Sequence, residues 1–136
     1  MAQIVLTNAD ISVAGTDLSS LANSVSLNFE IDQIEATGFG QQHNFIGGLQ
    51  NNSCEISFMQ DFAATKTEVT VFPLVGQTAT IIIIPVKGTT VSATNPRYTL
   101  TGSFLSSHTP VAASVGELAM TTLTFNGGTL AKAITP

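Results

Sequence analysis

Charge is what this sequence has least of. Only 10% of its 136 residues are Asp, Glu, Lys or Arg, against an average of roughly 25%. The surface must then be built from Thr, Ser, Asn and Gln. Such a surface does little to discourage self-association, because charge is a main defence against pairing between sheet edges. Positive charge is scarcest. Four Lys and Arg face nine Asp and Glu, for a net charge of −5. Residues 1–65 hold seven acids (Asp10, Asp17, Glu30, Asp32, Glu35, Glu55 and Asp61) and no Lys or Arg. Recognition of nucleic acid through phosphate neutralisation needs clustered Lys and Arg. Specific DNA or RNA binding is therefore not expected, and an acidic surface would instead repel phosphate.

Cysteine is nearly absent too. Cys54 stands alone, so the chain can form no intrachain disulfide, which excludes a disulfide-stapled secreted module. Its place on the apolar side of a strand makes it a small buried hydrophobe. The start, Met1-Ala2-Gln3-Ile4-Val5-Leu6-Thr7, lacks a basic segment and a long apolar core, so no signal peptide is expected. The longest run of isoleucine, Ile81–Ile84, is far too short to cross a bilayer, and no membrane insertion is expected.

Catalytic inventories also come up short. His43 lies on a glycine-bearing arm and His108 two residues before Pro110, both read as surface loop residues without a supporting nucleophile. No Gly-x-Ser-x-Gly occurs. Gly38-Phe39-Gly40 and Gly47-Gly48 lack the Lys-Ser/Thr of a phosphate-binding loop and the strand-to-helix context of a dinucleotide loop. One Cys and two distant His do not make a zinc site. Glu30, Asp32 and Glu55 lack the Asp-x-Asp-x-Asp-Gly pattern of a calcium loop. Carboxylates on a strand face are more often solvated surface than an acid–base pair. No enzyme, metal or cofactor is expected.

What the sequence does contain is organised around Val25–Asp61. In Val25–Asp32, Val25, Leu27, Phe29 and Ile31 alternate with Ser26, Asn28, Glu30 and Asp32. In Ser53–Met59, Cys54, Ile56 and Phe58 alternate with Ser53, Glu55 and Ser57. Period-two alternation predicts strands buried on one side and wet on the other. The first strand is expected to run to Ala36, with a bulge at Asp32-Gln33-Ile34 where the alternation slips. Between the strands, residues 37–52 form a long arm. Loops of this length are usually functional or disordered, and the arm's two phenylalanines and Ile46 argue against disorder. It is read as an arm that docks on a neighbour.

The remaining chain predicts a mainly β domain. Ile4–Thr7 and Ile11–Val13 are short β-type runs. Asp61 is a plausible N-cap for a helix over Phe62–Phe72, with Phe62, Val69 and Phe72 on one face and Pro73 at its end. Four consecutive isoleucines predict a strand covered on both faces. Arg97–Leu105 places Tyr98, Leu100 and Phe104 together. Glu117–Phe125 forms the last strand, with Leu118 and Met120 opposite Leu123 and Phe125. Residues 129–136 form a tail that orders against a partner. The expected architecture is one domain over residues 1–136, a β-sandwich or partly closed barrel of six to eight strands with one flanking α-helix.

Several stretches carry a resemblance. Val13-Ala14-Gly15-Thr16-Asp17-Leu18-Ser19 precedes the first strand. Ile46-Gly47-Gly48-Leu49 closes the arm, and Glu55-Ile56-Ser57-Phe58-Met59-Gln60-Asp61-Phe62 follows. Then come Phe72-Pro73-Leu74-Val75-Gly76, Ser92-Ala93-Thr94-Asn95-Pro96-Arg97-Tyr98-Thr99 and Ser114-Val115-Gly116-Glu117. In this order, over nearly the whole chain, they resemble the small major tail proteins of siphophages infecting actinobacteria. The resemblance implies a tail tube fold in which six copies form a ring around a channel. Rings stack through a long hairpin loop and the termini. The channel passes DNA without specific binding and houses the tape measure protein, and other proteins cap the tube ends. It further implies lumen-facing roles for Glu30, Asp32 and Glu55. The ring-stacking role falls to the arm with Gly38, Phe39, Gly40, Gln42, His43, Asn44, Phe45 and Ile46. A capsid decoration protein and a β-sandwich binding module are the competing readings.

Overall fold

The computed structural model describes residues 5–40, 42–64 and 66–135. Among them are ten strands: β1 (Asp10–Val13), β2 (Thr16–Asp17), β3 (Ala22–Asn28), β4 (Ile31–Glu35), β5 (Phe45–Gln50), β6 (Ser53–Met59), β7 (Thr78–Ile84), β8 (Arg97–Ser107), β9 (Met120–Asn126) and β10 (Thr129–Ala133). One short helix, α1 (Thr67–Val71), stands on the flank. The architecture is the expected mainly β sheet with a flanking helix.

All strand pairs are antiparallel. The large sheet runs β2-β1-β7-β8-β9-β6-β3, with β10 added to β8, while β4 and β5 pair only with each other. The large sheet curls on itself. Val13 of β1, Ile81 of β7, Leu100 and Leu105 of β8, Leu123 and Phe125 of β9, and Ile56 and Phe58 of β6 meet in one buried cluster. Burying each such side chain is worth roughly 1.5–3 kcal/mol. In β6 the expected alternation holds: Cys54, Ile56 and Phe58 are buried.

The curl has a local cause. Gly102 sits at φ +72 in the middle of β8, and the β7–β8 register slips between Ala79 and Ile81. The extra residue is a bulge, which sharpens twist and bend. Past it the buried parity changes, so Leu100, Ser103 and Leu105 are buried while Phe104 is exposed. The expected grouping of Tyr98, Leu100 and Phe104 is therefore broken. On the opposite edge of β8, Asn126-Gly127-Gly128 bends β9 into β10, so one chain segment serves both halves of β8. An added Cβ on Gly128 would lie 2.7 Å from the Thr101 carbonyl oxygen. Residues 129–133 are thus a strand within the sheet and not an extended tail.

Other expectations are corrected. The strand from Val25 does not run on to Ala36: it ends at Asn28, and β4 starts a separate ribbon. The helix is five residues long; Thr65, within its predicted span, lies outside the described residues. Asp61 does not cap it but folds its own turn, its Oδ1 accepting from the Ala63 amide at 2.9 Å. Phe62, Val69 and Phe72 are exposed, and Thr67 and Val71 face the core instead. The Thr67 hydroxyl donates to the Met59 carbonyl at 3.0 Å, so the helix is moored by a polar bond that an apolar pattern could not reveal. Ile81 and Ile83 are buried, but Ile82 and Ile84 are only half-buried, so one face of the isoleucine strand lacks a full cover. In β9 the odd positions, with Thr121 in a core slot, face inward, and Leu118 lies in the exposed preceding loop. Of the Ile4–Thr7 run, Ile4 lies outside the described residues and the rest forms no strand.

Candidate assembly surface: wall, hairpin and seam

The outer face of β3, β6 and β9 is a polar wall. Directly opposed residues on neighbouring strands share a face. Ser26 pairs with Glu55 and Glu55 with Thr124. Ser24 pairs with Ser57 and Ser57 with Thr122. Asn28 pairs with Ser53 and Ser53 with Asn126. Because Cys54, Ile56 and Phe58 point into the core, these residues all point away from it. The Ser57 and Thr122 hydroxyls bond across the strands at 3.2 Å. Glu55 is the single charge among the nine residues, and β3, β6 and β9 carry no Lys or Arg.

The three carboxylates read as one face are divided by the break after Asn28. Glu55 stands in the wall. Glu30 lies at the root of the ribbon, where its carboxylate accepts from the Asn51 side chain at 3.2 Å. Asp32 belongs to β4. All three are exposed.

The arm is not a loop. Phe45–Gln50 forms β5 and pairs with β4, so residues 31–50 make a projecting hairpin. The bulge expected near Asp32–Ile34 is present as a register shift between Ile31 and Gln33. Gly48 has a packing reason: an added Cβ would sit 2.8 Å from Ile34 Cδ1 and 3.3 Å from the Asp32 carbonyl oxygen. Near the tip, the Ala36 amide donates to the Asn44 carbonyl at 2.7 Å and the Asn44 amide to the Thr37 hydroxyl at 3.1 Å. His43 Nδ1 lies 2.5 Å from Glu35 Oε2, and its ring stacks on Phe45. Gly38, Phe39, Gly40 and Gln42 form the exposed tip, with Gly40 at φ +75. Ile31, Ile34, Phe39, Phe45, Ile46 and Leu49 are all exposed. Among the described residues, neither apolar face of this ribbon is covered by its own subunit.

Asn52 ties this hairpin to the barrel. It is 1% exposed. Its Oδ1 accepts from the Glu30 amide at 3.3 Å, its Nδ2 donates to Gln50 Oε1 at 2.8 Å and to the Gly128 carbonyl at 3.0 Å, and its own carbonyl accepts from the Gly127 amide at 2.8 Å. Sequence reasoning did not single it out. The available signal was an Asn-Asn pair between the arm and the best strand.

The third feature is an open seam. Val25 and Leu27 of β3 are half-buried, and Phe29 is exposed. They face Tyr98 of β8 and Leu130 and Lys132 of β10 across a cleft of about 530 Å³ that Leu6 also lines. Within the large sheet β3 pairs only with β6, and β10 only with β8. Among the described residues the seam therefore lies between two strands that each have one neighbour only, with the Leu130 amide of β10 donating to Gln50 Oε1 at 3.3 Å.

Titratable groups elsewhere are tied into structure. His108 is buried, not on the surface: its side chain is 1% exposed, with Nε2 2.9 Å from Glu68 Oε2 and Nδ1 2.8 Å from the Thr121 hydroxyl. Gln60 Nε2 adds bonds to Glu68 at 3.0 Å and to the Pro110 carbonyl at 2.6 Å. A Thr-His-Glu chain has the bond order of a nucleophile relay. Here the Thr121 hydroxyl is buried and also accepts from the Thr109 amide at 3.2 Å, so a substrate has no approach to it. The group latches α1 and the 108–119 loop to the barrel. Asp17 is held down at about 2, first by its bond to Lys87 and then by bonds from Ser19, and Lys87 is raised in return. Burial pushes the Cys54 thiol up to about 12. Among the described residues no three His, Cys, Asp or Glu side chains gather as metal ligands. No helix among them is long and apolar enough to cross a membrane.

No family model matches the sequence, and no curated protein matches it. Solved structures do. A chain in the sheath/tube terminator of the extracellular contractile injection system PVC, in the extended state, superposes with a TM-score of 0.72 at 17% identity, covering 96% of this chain and 96% of that one. A chain in the PVC sheath-tube complex, also extended, gives 0.72 at 18% identity, covering 98% and 93%. A chain in the tail of an empty gene transfer agent particle, refined with C6 symmetry, gives 0.54 at 14% identity, covering 85% and 83%. Wall, projecting hairpin and open seam thus stand on a fold shared with chains of an extracellular contractile injection system and of a gene transfer agent tail.

Proposed function

We propose that this chain is the repeating subunit of a phage-type tail tube. Copies join into rings, likened in number to the C6 symmetry of the gene transfer agent tail, and the rings stack. The β3–β6–β9 wall borders the channel. Glu55 lies on that wall, and Glu30 and Asp32 lie at its rim, where the hairpin departs. A bore of hydroxyls, amides and scattered carboxylates with no cation repels phosphate and lets DNA slide without capture. The hairpin with Gly38, Phe39, Gly40, Gln42, His43, Asn44, Phe45 and Ile46 makes the contact between rings. A tape measure protein within the bore and proteins at the tube ends complete the set of partners. The particle is a virion, and the part played is structural.

The observation that carries this reading is the pairing of a wholly polar sheet face with apolar surfaces left open beside it, on the hairpin and in the seam. A monomer gains nothing from either open surface, whereas a ring hides both and keeps the polar face wet. Electron microscopy of the purified protein tests it. Rings or tubes with a central channel are expected. A protein that stays monomeric at high concentration, or binds a capsid shell without polymerising, would favour a decoration role and overturn the proposal.

A further inference from the structure

We infer that the seam between β3 and β10 is the receptor for the β4–β5 hairpin of a second copy. This rests on the self-assembly reading and adds to it the place where the hairpin lands. The seam is lined by Val25, Leu27, Phe29, Tyr98, Leu130 and Lys132. It is an apolar cleft with one charge, and that charge is positive. Residues 30–51 have the opposite character: they hold Glu30, Asp32 and Glu35, and no Lys or Arg. Lys132 is exposed and makes no ion pair among those described. Acid on the ribbon and base in the cleft fix both partner and orientation.

The hairpin face that fits is set by the pairing. Glu35 lies opposite Phe45, and Gln33 opposite Gly47. A Cβ on Gly47 would touch Ile31 Cγ2 at 3.4 Å, so Ile31, Glu35 and Phe45 share a side. Ile31 and Phe45 fill the cleft, His43 remaining stacked on Phe45, and Glu35 reaches Lys132 through Oε1 while His43 holds its Oε2. Asp32, on the other side of the ribbon, is left to the channel rim. Among the described residues the outer edge of β3 is unpaired and offers backbone partners to an incoming strand, whereas on β10 the Leu130 amide already donates to Gln50 Oε1 at 3.3 Å. The ribbon therefore docks by strand addition on β3 as well as by its side chains. Hairpin and seam are different surfaces of the same molecule. The contact is therefore heterologous and propagates from copy to copy, where a two-fold contact would stop at a dimer. Phe29 lines the seam and also precedes Glu30 at the root of the subunit's own hairpin. An arriving ribbon thus packs against the root of the next.

Phe45→Cys and Leu130→Cys test this, because Cys54 is buried and contributes no background. Mixing the two single variants under mild oxidation is expected to give a mixed disulfide dimer, and the double variant a covalent ladder. Neither single variant should cross-link alone. Tubes that form without the mixed disulfide overturn this inference and leave the self-assembly reading standing. A wild-type chain that never assembles overturns both. Lys132→Glu, at an exposed position, gives a second measurement independent of cysteine packing. It should raise the concentration needed for assembly roughly tenfold, and Glu35→Lys in the same chain should restore it. An unchanged threshold in Lys132→Glu also overturns the assignment.

Discussion

Asn52 uses both ends of one carboxamide, accepting from the hairpin root and donating to the bend between β9 and β10. Replacing it with Ala leaves the Glu30 amide and the Gly128 carbonyl without their partner at a partly buried junction. Such losses cost about 1–3 kcal/mol. Asn52→Ala is expected to lower the unfolding free energy read from urea curves by that amount, with an unchanged slope. Hydrogen exchange should also show faster loss of protection in residues 31–50 than in β6 and β9. Equal loss everywhere would show that Asn52 does not anchor the hairpin. The Asp17–Lys87 pair makes a different kind of prediction. A carboxylate held at about 2 in the folded chain, against roughly 3.9 when unfolded, adds stability at pH values above about 4. That contribution fades as pH falls toward 2. Lys87→Met should therefore be less stable than wild type near neutrality, and the gap should close as pH falls from about 4 through about 2. Thermal melts across this range check the sign.

At the scale of elements, the legible parts were those where one face is dry. β6 could be read residue by residue because Cys54, Ile56 and Phe58 are all buried. The slip at Asp32–Ile34 was legible as a bulge because parity changes leave a trace in the pattern. Of the hairpin, β4 is legible only as a continuation of the strand from Val25, and β5 is not legible as a strand. Both its faces are wet, so no alternation is imposed, and Gly47 and Gly48 imitate a loop although Gly48 only makes room for Ile34. The helix was overextended because Phe62, Val69 and Phe72 fell at helical spacing while facing solvent, and the bond that moors it comes from Thr67. His108 reads as a surface residue of its loop because its partners Glu68 and Thr121 are distant in sequence. The β9–β10 bend yields a testable contrast. Gly127 and Gly128 have φ +77 and +89, but only Gly128 has backbone within reach of an added Cβ. Gly127→Ala should cost about 1–2 kcal/mol, the penalty of left-handed backbone for an L-residue. Gly128→Ala should cost clearly more, because the Thr101 carbonyl cannot yield as a side chain would. Matched denaturation curves compare them, and equal losses would refute the close-approach argument.

At the scale of the whole molecule, the candidate surface was partly visible. The carboxylates and the arm were found in the sequence, but their division between a wall and a rim depends on the break after Asn28. The seam was invisible, since Val25, Leu27 and Phe29 read as ordinary core. The proposed channel makes one further prediction. Glu55→Lys puts a cation in the centre of the wall without touching hairpin or seam. Assembly should persist, while binding to a short DNA duplex should rise at low salt and fall steeply as salt increases. Assembly lost together with folding would show that Glu55 does not face water.

Cys54 has a consequence for where such a molecule can work. A sulfhydryl with its pKa near 12 is almost entirely protonated at neutral pH, and the thiolate is the reactive form. Buried on the core face of β6, it offers oxidants and glutathione no ready access. With no intrachain crosslink to gain or lose, the fold does not depend on the redox state of its surroundings.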